Sequence, residues 1–169
     1  MKKIFLLTLV VLTFGFSICA QTVEKQIAAI SAEDAAINKA GAKYTKKTMN
    51  VEGVSLEGTE ATYYVSGKGL KKVAAKIYGE SFQATLELYF QGEELIFAYQ
   101  KTSRYKESIG SGKTPIVART EETRSYFTGG KMIRFLNGKK QVKPETVEFD
   151  EQAYSTMEIS DTFRRAFTK

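Results

Sequence analysis

Residues 88–97, LYFQGEELIF, contain a motif in which an aromatic residue lies three positions before a glycine and a leucine or methionine lies three positions after it. Further copies occur at 64–73 and 126–135, and a shorter one occurs at 135–140. A glycine between two apolar runs is typical of a tight β-hairpin, because glycine adopts positive φ without a steric cost. The motif therefore predicts a chain built from repeated hairpins.

The loop of the hairpin at 88–97 is predicted at Gln91 and Gly92, with the glycine in the second position. This loop pairs Leu88 with Leu95, and the register decides which side chains share a face. One face receives the apolar side chains Leu86, Leu88, Phe90, Leu95, Phe97 and Tyr99. The opposite face receives Thr85, Glu87, Tyr89 and Glu94.

Alternating apolar and polar residues extend this pattern on both sides of the motif. They predict strands at 59–66, 69–78, 82–90, 95–105, 116–128 and 131–136, with 140–143 as an additional strand. The connections between them are short, which favours antiparallel neighbours, since parallel neighbours need crossovers of about a dozen residues or more. The sheet is therefore predicted to be an antiparallel meander.

Helical spacing appears at both ends of this region. The alanine-rich residues 23–40 place apolar side chains on one stripe, and alanine is the strongest helix former. Near the C-terminus Phe149, Ala153 and Met157 are spaced four apart, and Asp150 is the expected N-cap. The predicted fold class is α+β, with a curved antiparallel β-meander of about six to seven strands, an N-terminal helix and a C-terminal helix.

The first twenty residues have the layout of a secretory signal peptide. Two lysines precede an apolar run at 4–16, and a segment of mostly small residues follows at 17–20. We expect cleavage after Ala20, which leaves 21–169 as a single α+β domain located in the periplasm or outside the cell. A lipid anchor at Cys19 is the alternative, but Ile18 is bulkier than the small residue that such processing prefers. No stable membrane insertion is expected after cleavage.

The composition excludes several kinds of chemistry. The chain has no histidine, and its one cysteine, Cys19, leaves with the predicted signal peptide. The processed protein would therefore lack Ser-His-Asp and Cys-His machinery, zinc sites built on histidine or cysteine, and disulfides.

Carboxylates remain as acid/base groups, but Glu93 and Glu94 lie on a predicted turn, and Glu121 and Glu122 point to opposite faces of a strand. A hydrolase that uses two carboxylates needs them to converge from separate elements. We assign no catalytic, cofactor-binding or metal-binding residue, and we predict that the protein is not an enzyme.

Positive charge and aromatic residues suggest binding, although each also has a structural explanation. Residues 101–143 contain eleven lysines and arginines against three glutamates. This basic half predicts either a solvated face or contact with anionic lipid or glycan, and export argues against nucleic acid as a partner. Six tyrosines either pair across strands for stability or line a ligand-facing side of the sheet. They are Tyr63, Tyr64, Tyr89, Tyr99, Tyr105 and Tyr126.

The repeated Tyr-Phe-x-Gly-x-x-Leu-Ile hairpins, on a chain with a signal and a helix at each end, resemble small uncharacterised exported proteins of Gram-negative bacteria. They are also similar to PepSY-like and β-lactamase-inhibitor-like modules, which place helices against an antiparallel sheet. The resemblance covers about 59–136. It implies protein binding or inhibition rather than catalysis, and it carries over no functional residue, because the turn motif is structural.

Three functional hypotheses follow from the sequence. The first is an exported, non-catalytic module that binds a protein or another ligand whose identity the sequence does not give. The second is a carrier that holds a lipid or other small apolar ligand between the sheet and a helix. The third is a hydrolase based on carboxylates.

Overall fold

The computed structural model describes residues 14–67, 69–108 and 114–168, with side chains from residue 22 onward. Helix α1 spans Phe14–Ala40, a 3-10 turn follows at Gly41–Lys43, and helix α2 spans Val147–Thr168. Eight strands lie between the helices. They are β1 Thr45–Asn50, β2 Thr59–Ser66, β3 Gly69–Gly79, β4 Phe82–Gln91, β5 Glu94–Tyr105, β6 Val117–Thr128, β7 Lys131–Asn137 and β8 Lys140–Val142.

The strands form one open antiparallel sheet in the order β1 to β8, which confirms the predicted meander with a helix at each end. The boundaries of β2 to β8 differ from the predicted ones by at most one residue. Strand β1 was not predicted. Its sequence, TKKTMN, has no alternating apolar pattern because it is an edge strand in which only Met49 is partly buried.

The predicted register of the repeated hairpin is wrong by one residue at the turn. Gln91 pairs with Glu94, so the two loop residues are Gly92 and Glu93. Gly92 has a φ of 63°, and the turns that suit hairpins accept a positive φ at the first loop position. Gly92 is therefore the first residue of the loop and not the second, as the sequence had predicted.

A β-bulge follows each of these turns and shifts the register again. Phe90 pairs with Leu95, but Tyr89 pairs with Phe97, so Ile96 has no partner of its own. The other two copies have the same geometry. Val65 pairs with Leu70 while Tyr64 pairs with Lys72, and Phe127 pairs with Met132 while Tyr126 pairs with Arg134. The repeated sequence motif is thus a repeated bulged hairpin.

The bulge divides the predicted apolar face between the two sides of the sheet. Leu86, Leu88, Phe90 and Leu95 stay together in the larger core cluster, with Phe163 of α2. Phe97 and Tyr99 instead join Tyr89 in a second cluster that includes Ile30 and Ile37 of α1. The sheet therefore has an α2 face and an α1 face, and both faces carry packed apolar side chains.

Helix α2 begins three residues earlier than the predicted N-cap, Asp150. Thr146 is the residue whose side-chain oxygen accepts a hydrogen bond from the backbone N–H of Phe149, at 3.3 Å. Asp150 lies in the first turn of α2, where a carboxylate is favourable beside the positive end of the helix dipole.

Helix α1 extends the predicted helix toward the N-terminus, beginning at Phe14 instead of residue 23. Ile30 and Ile37 are buried against the sheet, and Glu24 forms an ion pair with Arg134 of β7. All three α1 residues lie after Ala20, so these contacts would survive the predicted cleavage. Most of the predicted signal peptide, residues 1–13, lies outside the described residues. In the described part of the chain, no helix is both long and apolar enough to cross a membrane.

Tyr63 connects α2 to the sheet, and its titration gives a test of the fold. Its ring is stacked on Phe167, and its buried hydroxyl donates a hydrogen bond of 3.0 Å to the backbone oxygen of Phe163. Burial raises the pKa of Tyr63 from 10.0 to about 12. The unfolded chain therefore loses this proton at lower pH than the folded chain does. The stability that the buried phenol contributes is present below pH 10.0 and is lost as the pH rises to about 12.

We expect Tyr63→Phe to lower the free energy of unfolding at neutral pH by about 1 kcal/mol, because one buried hydrogen bond is removed. Between pH 10.0 and about 12, the stability of the variant should fall less steeply than that of the wild type. Urea unfolding across this pH interval measures both effects. Tyr154→Phe is the control, since Tyr154 is 72% exposed. Identical pH slopes for the wild type and Tyr63→Phe would contradict the prediction.

Candidate functional site

A single row of side chains crosses the α1 face from β1 to β7, and we call it the cation–aromatic row. Its members are directly paired across neighbouring strands. In strand order they are Lys46, Tyr64, Lys72, Tyr89, Phe97, Tyr126 and Arg134. Each copy of the hairpin motif supplies two residues to the row, the aromatic residue three positions before the glycine and the residue five positions after it. The bulge places these two residues opposite each other.

Neighbouring members of the row contact one another through ring faces. The Lys72 Nζ lies 4.8 Å from the centroid of the Tyr89 ring, a distance at which an ammonium group is attracted to the ring face. The Tyr89 and Phe97 centroids are 5.6 Å apart, and those of Phe97 and Tyr126 are 4.9 Å apart. Ring contacts therefore connect the row from Lys46 to Tyr126, and Arg134 continues it as the strand partner of Tyr126.

Lys72 is the best-bonded charged group of the row. Its ammonium donates to the Asn38 Oδ1 at 3.0 Å, to the Glu87 Oε1 at 2.8 Å and to the Tyr89 hydroxyl at 2.9 Å. A lysine ammonium has three N–H donors. All three are engaged within the protein, and one of them reaches α1 through Asn38.

Two groups near Lys72, Tyr89 and Asp34, have raised pKa values. Burial, followed by a hydrogen bond of 2.6 Å to Glu87, raises the pKa of Tyr89 above its ordinary value. Burial also raises the pKa of Asp34 on α1, with Glu87 adding to the rise and Lys72 opposing it. The group is a compact network of donors and acceptors that holds α1 against β3 and β4.

A cleft of about 250 Å³ opens at the β1 end of the row. It lies between the C-terminal end of α1, the 3-10 turn and the first three strands. Its lining residues are Ile37, Asn38, Gly41, Ala42, Tyr44, Lys46, Tyr64 and Lys72. The lining includes two lysines and two tyrosines.

Four lysines lie on the chain segments that border this cleft, and we call them the basic corner. They come from the last turn of α1, the 3-10 turn, β1 and the start of β3. They are Lys39, Lys43, Lys46 and Lys71. Within the residues that the structure describes, none of the four forms an ion pair. Lys72 is the lysine of this region that has a carboxylate partner.

The basic half noted in the sequence has a different arrangement, because several of its cations are paired. Arg104 and Arg119 both contact Glu121, at 3.1 Å and 2.8 Å. Arg124 contacts Glu122 at 3.1 Å, and Arg134 is paired with α1. These contacts favour the interpretation of residues 101–143 as a solvated face. The basic corner adds four lysines without an ion pair in the described structure, and the sequence-based predictions did not include them. A signal was present, since residues 39–50 contain four lysines and no acid.

The structure also shows where the predicted tyrosines lie. Tyr64, Tyr89 and Tyr126 belong to the row, whereas Tyr63 lies in the core beneath α2. Tyr89 is 2% exposed and is therefore part of the core rather than a binding surface. Tyr64 is half-buried and faces the cleft.

The carboxylates singled out in the sequence do not come together. Glu93 is exposed and lies 3.5 Å from Arg164, while Glu121 and Glu122 are paired with arginines. A groove of about 520 Å³ beside α1 is lined by two acids, Glu33 and Glu94. Glu94 is exposed, so it lacks the burial that prepares a carboxyl group as a general acid. In the part of the chain that the structure describes, no group of three His, Cys, Asp or Glu side chains could hold a metal ion.

Comparison with known proteins adds no relative: no protein-family model, curated protein or solved structure matches this chain. The resemblance to PepSY-like and β-lactamase-inhibitor-like modules stays a prediction. A functional proposal for this chain therefore rests on the side chains of the row, the cleft and the basic corner.

We expect Lys72→Met to lower the free energy of unfolding by about 2 kcal/mol, because Glu87 and Tyr89 lose their partner in a partly desolvated setting. The loss should stay below that of a fully buried pair, since the Glu87 side chain is 35% exposed. Urea unfolding measures the change. Lys101→Met is the matched control, because Lys101 lies 3.8 Å from Glu122 and is about half exposed. Its effect should stay within about 0.5 kcal/mol. Equal losses for the two variants would mean that the network around Lys72 stabilises the fold no more than an exposed ion pair does.

Proposed function

We propose that this chain is an exported, non-catalytic binding module whose ligand is anionic and binds at the basic corner. The observation that carries the proposal is the set of four lysines on the segments that border one cleft, none of which has a carboxylate partner among the described residues. Like charges that are held close together repel, and a surface dominated by one sign attracts ligands of the opposite sign. An anion in the cleft would relieve this repulsion.

The network around Lys72 supports this proposal because it fixes the wall of the cleft. Lys72, Glu87 and Tyr89 are locked by hydrogen bonds of 2.6 to 2.9 Å. Asn38 connects the same network to the end of α1. A preformed wall lowers the entropy that is lost when a ligand binds. The ligand would therefore meet a rigid surface on one side and mobile lysine chains on the other.

A non-catalytic role is favoured over a hydrolase. The chain after Ala20 has neither histidine nor cysteine. Glu33 and Glu94 are the pair of acids in one groove, and neither is fully buried. The hydrolase hypothesis therefore receives less support than binding.

The carrier of an apolar ligand also receives less support. Tyr63 and Phe163 fill the space between the sheet and α2, and both are fully buried. A cavity of about 130 Å³ beneath α2 is lined mainly by polar residues. They are Gln100, Thr123, Ser125, Gln152, Ser155 and Thr156. This lining differs from the predominantly apolar lining that is typical of ligand pockets.

Export is tested by the N-terminus of the protein recovered from a Gram-negative host that expresses the full sequence. We expect mass spectrometry of the protein from the envelope fraction to give Gln21 as the first residue. Leu6→Arg places a charge in the apolar run and should leave the full-length chain in the cytoplasm. A cytoplasmic wild-type protein would refute export, and a chain that begins with a lipid-modified Cys19 would refute cleavage after Ala20.

The anionic ligand is tested by retention on a heparin column. We expect a triple Lys→Gln variant of the basic corner to elute at a clearly lower salt concentration than the wild type, since ionic binding weakens as fewer charges take part. A second triple variant removes the same charge from exposed positions on the β7–β8 hairpin and should elute with the wild type. The corner variant changes Lys39, Lys43 and Lys46, and the control changes Lys131, Lys139 and Lys140. Equal shifts for the two variants would show that net charge alone explains retention and would refute the proposed site.

A further inference from the structure

We propose that the cleft holds a small ligand with one anionic group attached to a flat ring, and that Lys46 is the residue that binds the anion. The inference rests on the proposed function and gives it a ligand class. It follows from three features of the cleft, namely free donors, charge balance and size.

The first feature is that the two lysines of the cleft differ in their free donors. The three N–H groups of Lys72 are all taken up by Asn38, Glu87 and Tyr89. In the described structure, the contact of Lys46 is with the face of the Tyr64 ring, at 5.3 Å. A ring face does not use up the N–H donors of an ammonium group in directed hydrogen bonds. Lys46 is therefore the lysine that can donate to a ligand, and Lys72 is a positioning residue.

The second feature is the charge balance of the lining residues. The charge of Lys72 is offset by Glu87, which lies at 2.8 Å. Asp34 is near this pair but does not line the cleft. One uncompensated positive charge remains in the lining, that of Lys46, and it matches a ligand with a single anionic group.

The third feature is the size of the cleft and the aromatic part of its lining. Tyr44 and Tyr64, both partly buried, line the cleft together with the lysines. The volume of about 250 Å³ lies below the range of about 300 to 1,000 Å³ that is typical of sites for drug-sized ligands. A single ring with a carboxylate or phosphate group suits this volume. The ring would pack against Tyr44, and the anion would reach Lys46.

Tyr64 gives the exposed Lys46 side chain a contact partner along the row. The ring of Tyr64 lies between two ammonium groups, with Lys46 Nζ at 5.3 Å and Lys72 Nζ at 5.9 Å from its centroid. Lys72 is fixed by its three hydrogen bonds, so the ring has a fixed neighbour on one side. Lys46 covers the other side, at the entrance of the cleft.

The test is an NMR titration with benzoate of the protein that is produced by expressing the full sequence. Benzamide, a neutral molecule of the same shape, is the control ligand. We expect benzoate to shift the amide signals of Gly41, Tyr44 and Lys46, with an affinity at least ten-fold higher than that of benzamide. Inorganic phosphate serves as an anion without a ring and should bind more weakly than benzoate. Equal affinities for benzoate and benzamide would overturn the role of the charge, and equal affinities for benzoate and phosphate would overturn the role of the ring.

Two variants identify the site. Lys46→Met should lower the affinity for benzoate at least ten-fold, whereas Lys47→Met should leave it unchanged. Lys47 is the matched control because it is the next residue on β1 and lies on the other face, 5.8 Å from the Phe167 ring. Gly41→Leu fills the cleft from its rim, where an added Cβ would meet no atom within 4 Å. It should abolish benzoate binding while the unfolding transition stays at the wild-type position. Benzoate binding that survives both Lys46→Met and Gly41→Leu would overturn the site.

The outcomes separate this inference from the proposed function. If the basic corner retains the protein on heparin but benzoate does not bind, the small-ligand inference fails and the anion-binding module stands. If benzoate binds at Lys46 while the heparin control shows no preference for the corner, the cleft is confirmed and the wider corner is not a binding surface. If neither probe binds, both proposals fail.

Discussion

A one-residue β-bulge, repeated in three hairpins, determines the rest of this structure. Without it, residues that alternate along a strand would keep one register, and Phe97 would lie on the α2 face with Leu95. The bulge moves Phe97 to the other face, opposite Tyr89. Lys72 and Arg134 are moved in the same way in their own hairpins. The sheet thereby gains two different faces, an apolar one for α2 and a cation–aromatic one for α1.

The cation–aromatic face depends on α1 because its charges need partners. Lys72 has an 11% exposed side chain, and a charge in such a position is stable only when its donors are satisfied. Glu87 and Tyr89 come from the sheet, but the third acceptor, Asn38, comes from α1. The helix also brings Glu24 to Arg134 near the other end of the row. Helix α1 is thus oriented by polar contacts toward its two ends and held by Ile30 and Ile37 between them.

The fold could be read from the sequence to a greater extent than the site. The strands β2 to β8 follow from alternation and from glycine turns, which are local signals and give boundaries to within one residue. The register could not be read in the same way, because a bulge adds one residue without changing the composition of the strand. Strand β1 was missed because pairing with β2, rather than an apolar pattern, makes it a strand. The site was missed for a related reason, since Lys46 and Lys72 are far apart in the sequence and meet only through β2.

Protection of a sheet edge offers another explanation for lysines at the basic corner. Strand β1 is an outer strand, and exposed lysines on such strands discourage pairing with another chain. That explanation covers Lys46, which lies on β1. It does not cover Lys39, Lys43 and Lys71, which lie on α1, on the 3-10 turn and on β3. Nor does it explain why Glu87 pairs with Lys72 while the four lysines of the basic corner have no carboxylate partner among the described residues. The ion pair of Lys72 and Glu87 lies close to lysines that have no carboxylate partner among the described residues. This arrangement is expected where a rigid wall supports a site for an anion.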